Sequence, residues 1–95
     1  MLLLQAQNNV NSGIMNKSEV VDIINGFLVE EFEIEEEVIH PDATWRDIGI
    51  DSLDFVDIVV IIDKEFGVKL KGEDMVDIKT LGQFHELIFQ RHQNK

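Results

Sequence analysis

Ninety-five residues with a net charge of −11 make one small domain with a limited core. The charge argues against nucleic-acid binding, which needs a basic face, and for basic partners met in fast, salt-sensitive encounters. With no cysteine there is no disulfide framework and no thiolate chemistry, and no apolar run reaches the length of a membrane span.

Residues 1–15 are expected to form a disordered extension. Leu2-Leu3-Leu4 is short for a signal segment and no Lys or Arg precedes it. The Asn/Gln/Ser-rich remainder carries no helical stripe. Met15 could be the biological start. Residues 16–92 form the folded domain, and residues 93–95 a flexible tail.

The first helix is predicted over residues 16–32. Asn16 or Ser18 caps it, and Glu19 completes a capping box with Asn16. Val20, Val21, Ile24, Phe27, Leu28 and Phe32 recur at spacings of three and four, which places them on one apolar stripe. Gly26 lowers helix propensity and allows close approach of a neighbouring helix.

Residues 30–37 hold six glutamates. They read as a helix end passing into a solvated loop, with Phe32 and Ile34 turned inward. No EF-hand spacing is present. The connection from 38 to 50 is long. His40-Pro41 ends regular structure, because a residue before proline avoids the α region. Trp45 and Ile48 are expected to anchor this loop in the core, and His40 reads as a loop histidine without a role.

The second helix is predicted over residues 51–66. Asp51 is its N-cap, Asp54 adds negative charge to the first turn, and Gly67 suits the left-handed stop. Ser52 takes the first helical position, where a hydroxyl is exposed near unpaired N–H groups that suit a phosphate. At about 100° per residue, Phe55, Val59, Ile62 and Phe66 share the core face with Val56 near its edge. Asp54, Asp57, Lys64 and Glu65 sit opposite. Leu53, Val60 and Ile61 are then exposed beside Ser52, as a docking surface would require. The β-branched run from 58 to 62 alone reads as a strand, and the caps decide for helix.

A brief third helix is predicted around residues 73–76, with Met75 or Val76 inward. Thr80-Leu81-Gly82-Gln83 is a capping box. It opens a last helix to about His92, with Leu81, Phe84, Leu87 and Ile88 as its stripe. His85 and His92 are seven apart and are read as solvated. The expected fold is all-α: a small four-helix bundle, three helices main and one short, with a long loop between the first and second.

Charge divides unevenly along the chain. Residues 16–65 carry 15 acids against Lys17, Arg46 and Lys64, whereas residues 66–95 carry four acids and five bases. An acidic half points to a surface.

Gly49-Ile50-Asp51-Ser52-Leu53-Asp54, with Val56, Asp57, Val59, Ile62, Glu65, Phe66 and Gly67 at matching spacings, resembles the acyl carrier proteins over roughly residues 17–89. Asp51-Ser52-Leu53 is similar to that family's attachment motif. The resemblance implies a 4′-phosphopantetheine arm on Ser52, placed there from coenzyme A by a phosphopantetheinyl transferase. It implies acyl chains riding as thioesters and sheltering between helices against Val56, Val59 and Ile62. It implies synthase enzymes whose basic patches read Leu53, Asp54, Asp57, Val60 and Ile61. It further implies a monomeric, cytoplasmic carrier that is not itself an enzyme. Lys64 and the bulky Ile61 depart from typical fatty-acid carriers, so the pathway stays open between primary fatty-acid and specialised lipid or polyketide-like synthesis. Three alternatives remain at this level: a peptidyl or aminoacyl carrier, an unmodified acidic adaptor, and a small hydrolase using Ser52. The last lacks a Gly-x-Ser-x-Gly elbow and a histidine placed to serve Ser52.

Overall fold

The computed structural model describes residues 15–93. The expectations for residues 1–14 and 94–95 lie outside them. Four helices follow in order: α1 (Lys17–Phe32), α2 (Ser52–Phe66), α3 (Gly72–Asp77) and α4 (Leu81–Gln93), with a 3-10 turn at Glu36–Val38 in the long connection. The described residues contain no strand.

α1 begins where the sequence says it should. Asn16 Oδ1 accepts the Glu19 N–H, and Glu19 returns a carboxylate oxygen to the Asn16 N–H. The helix stops at Glu33, which turns left-handed at φ 57°. The chain then doubles back, the Ile34 N–H reaches the Leu28 carbonyl, and Ile34 is buried. α4 opens with the predicted box between Thr80 and Gln83.

Val20, Ile24 and Leu28 of α1, Ile58, Ile62 and Phe66 of α2, Met75 of α3, and Leu81, Phe84 and Ile88 of α4 form the core. The long loop is part of it. Ala43, Ile48 and Ile50 are buried, and Trp45 packs edge-on against Phe55 and Phe84 at centroid distances of 5.6 and 5.2 Å. The Pro41 and Ala43 carbonyls accept the Gly82 and Leu81 N–H groups at 2.9 and 2.8 Å. Those N–H groups have no partner inside their own helix, so the loop caps α4 and is tied down by it.

Several expectations need correction. The centre of the α2 core face is Ile58, Ile62 and Phe66, while Phe55 and Val59 are half-buried on its flank. The apolar run 58–62 surrounds the helix, so periodicity alone does not fix the rotation. Trp45, arriving from the loop, covers Phe55 from the side. Val56 is 66% exposed, and Ile61, expected on the outside, packs partly against the core. In α3 it is Met75 that turns inward and Val76 that faces solvent. A Cβ on Gly26 would meet nothing within 4 Å, so no helix approaches there.

His85 and His92 are buried, not solvated, at 4% and 6% exposure. His85 Nε2 donates to Asn25 Oδ1 at 2.9 Å, joining α4 to α1. His92 Nδ1 donates to the Phe66 carbonyl at 3.2 Å, satisfying one of the orphan acceptors at the end of α2. Each histidine lies three or four residues from a stripe residue, and that spacing was the signal for burial. At the domain limits, Met15 packs against the core and Gln93 belongs to α4.

Candidate functional site

Ser52 stands at the head of α2 with its side chain exposed. The turn before it is tied by local hydrogen bonds. Thr44 and Asp47 exchange hydrogen bonds, each N–H donating to the other's side chain at 3.0 Å. The Thr44 N–H, and after it the Thr44 hydroxyl donating to the same carboxylate, hold the Asp47 carboxyl below its usual pKa. Gly49 takes φ +80°, a left-handed conformation that glycine adopts without steric cost. The Ile50 N–H returns to the Trp45 carbonyl at 2.9 Å. Buried Ile48 and Ile50 bracket Gly49, so packing fixes the position from which α2 departs.

Asp51 caps the helix. Its Oδ1 accepts the N–H of Leu53 at 2.9 Å and of Asp54 at 3.3 Å. Asp54 Oδ2 accepts the Asp51 N–H at 3.2 Å, closing the box. Two of the N–H groups that a phosphate would seek are therefore taken by a carboxylate of the chain. A phosphate on Ser52 would stand outside the helix end, attracted by its dipole but not enclosed by it.

Among the described residues no hydrogen bond joins a histidine to Ser52. His85 and His92 are committed to Asn25 and to Phe66 at the far end of α2, and His40 is exposed in the loop. Among the described residues no group of acidic or histidine side chains is arranged to hold a metal. The Ser52 hydroxyl stands exposed at the first position of α2.

The profile of a family described as the phosphopantetheine attachment site matches residues 22–88. The chain belongs to the phosphopantetheine attachment-site family. Within this family it is 47% identical over 60 residues to the acyl carrier protein AcpXL of Rhizobium meliloti, a match covering 62% of this chain and 63% of that protein. It is 29% identical over 68 residues to an acyl carrier protein of Thermosynechococcus vestitus, covering 70% and 84%. It is 30% identical over 73 residues to a mitochondrial acyl carrier protein of Dictyostelium discoideum, covering 77% and 61%. The match thus spans just under two thirds of the first relative's length. Membership in this attachment-site family makes 4′-phosphopantetheine the covalent cofactor, and the exposed serine at the head of α2 fits its attachment.

Around Ser52 the predicted partner residues are placed unequally. Leu53 is 81% and Val60 60% exposed, Asp57 is exposed, and Asp54 and Ile61 are half-buried. The residues expected to line an acyl chain span the whole range. Ile62 is fully buried, Val59 half-buried and Val56 exposed. Trp45, packed against Phe55, has its indole N–H buried with no hydrogen-bond partner among the described residues.

Proposed function

We propose that the protein carries acyl intermediates as thioesters on a 4′-phosphopantetheine arm attached to Ser52, in fatty-acid or related lipid or polyketide-like biosynthesis. The observation that carries this reading is the exposed Ser52 hydroxyl at the first position of α2, inside the matched residues 22–88. The arm supplies a terminal thiol for the acyl group. The chain supplies attachment, presentation and shelter.

In the loading step Ser52 Oγ would attack the coenzyme A phosphorus that bears the pantetheine. The Oγ–P bond would form as the bond from that phosphorus to the bridging oxygen breaks, and adenosine 3′,5′-bisphosphate would leave. The serine proton passes to a base on the transferase. Asp51 and Asp54 take no part in bond making. They hold the first turn, and so the direction of Oγ, in one geometry.

Acyl chains enter beside Val56, past Val59, towards Ile62. Transferase and synthase enzymes approach with basic patches over Leu53, Asp54, Asp57, Val60 and Ile61. In this reading the protein is a monomeric cytoplasmic substrate of other enzymes and not itself a catalyst.

Incubation with coenzyme A and a phosphopantetheinyl transferase should raise the intact mass by one phosphopantetheinyl unit. Ser52→Ala should show no rise while keeping its helical circular dichroism. Modification that persists in Ser52→Ala would sink the assignment.

A further inference from the structure

A groove of about 370 Å³ runs between the end of α1 and the outer side of α2, lined by Glu31, Phe32, Asp57, Val60 and Ile61. Phe32, Val60 and Ile61 make its apolar part. Phe32 and Ile61 pack partly against the core, and the Phe32 ring is steadied by Phe27 at a centroid distance of 6.5 Å. The floor is thus formed before anything binds. Val60 stays largely exposed. Phe32 is the last side chain of α1, because the chain turns back at Glu33.

The rim is acidic and unpaired. Ion pairs among the described residues join Lys17 to Glu86, Lys69 to Asp63 and Arg91 to Asp74. None reaches Glu31 or Asp57, both exposed. A partly desolvated apolar floor between two unpaired carboxylates calls for an apolar side chain flanked by cations. A fatty-acid carboxylate or an anionic membrane surface would meet like charge there.

We infer that this groove is a docking socket for a protein partner that presents an apolar side chain between Lys or Arg residues, and that Glu31 and Phe32 of α1 form half of it. The inference rests on the carrier reading, in which enzymes must reach Ser52 along the same helix. Val60 lies eight residues on, about 12 Å along the axis. The α2 face alone would recognise any basic surface. The socket adds a requirement for shape, so α1 takes part in choosing the partner.

The test uses the full chain, loaded at Ser52 and labelled with ¹⁵N. The probe is a synthetic helical peptide with one Leu between two Arg, each one turn away. Amide shifts are expected at Glu31, Phe32, Asp57, Val60 and Ile61. Exchanging the peptide Leu for Ser should weaken binding roughly fivefold or more. Glu31→Arg should weaken it about three- to tenfold. Glu30→Arg changes the charge equally but lies on a different cavity, with Asn25, Gly26 and Val29, and should alter affinity less than about twofold. Circular dichroism checks that both variants fold. Equal effects of the two Arg variants, or shifts on α2 with α1 silent, would overturn the socket. Loading is read separately by intact mass. A chain that fails to load overturns the carrier reading, while peptide binding to the unmodified chain still decides the socket.

Discussion

Asp51 and Asp54 hold each other's backbone at the head of α2: each carboxylate accepts the other residue's N–H, at 3.3 and 3.2 Å. The Asp51 oxygen also takes the Leu53 N–H. Asp51→Ala should therefore cost about 1 kcal/mol, and Asp51→Asn, which keeps an acceptor, clearly less. Asp54→Ala should couple to Asp51→Ala in a double-mutant cycle followed by urea unfolding, because both lose one shared box.

Gly82 and Gly26 should respond in opposite directions to the same change. A Cβ on Gly82 would sit 3.1 Å from the Pro41 carbonyl oxygen and 3.2 Å from its Cβ. That oxygen is already bonded to the Gly82 N–H, and the proline ring is stiff, so the loop cannot retreat without loss. Gly82→Ala should lower the melting temperature. Gly26→Ala, in the middle of α1 with open space around it, should gain about 0.5–1 kcal/mol of stability. Thermal melts of both variants check the pair.

Burial, with a smaller contribution from the Lys17 charge, pushes the His85 imidazole down to about 4 from its ordinary 6.5. Above pH 6.5 the ring is neutral in both folded and unfolded chains, and its full contribution to stability is present. Between 6.5 and about 4 the unfolded chain takes a proton that the folded one refuses. Stability is then lost as pH falls, by at most about 1.4 kcal/mol per pH unit, and the loss levels off below the folded value. His85→Gln keeps a donor for Asn25 and removes the titration. The difference in unfolding free energy between wild type and His85→Gln should slope in that window and be flat above it.

Acidic crowding should make the fold salt-dependent. Residues 16–65 carry 15 acids and three bases, and the six glutamates between 30 and 37 take part in none of the ion pairs among the described residues. Mutual repulsion destabilises the compact state and is screened by salt. Raising sodium chloride from low to physiological strength and beyond at neutral pH should raise the melting temperature by about 4 °C or more. Salt-independent melting would count against this account.

Ile61→Ala separates the two sides of α2. Because Ile61 packs partly against the core, the substitution should cost about 1–2 kcal/mol. Leu53→Ala removes an 81% exposed side chain and should stay within about 0.5 kcal/mol. Urea unfolding at equal pH and salt compares them.

The helices, their caps and the place of Ser52 were legible in the sequence because their causes are local. Asn16, Asp51 and Thr80 bond N–H groups two or three residues away, and Gly67 ends α2 within its own turn. Asp51-Ser52-Leu53 was singled out by its resemblance to the acyl carrier attachment motif, and its cap and helix start are local in the same way. Which way α2 faces was not local. Five consecutive apolar residues from Ile58 to Ile62 satisfy several rotations equally, and only the shared core, with Trp45 set against Phe55, selects the one that buries Ile58. His85 and His92 read as polar in the chain. Their partners, Asn25 and the Phe66 carbonyl, stand 60 and 26 residues away. Only the tertiary structure brings those groups within hydrogen-bond reach, and that contact turns a costly burial into a join between helices.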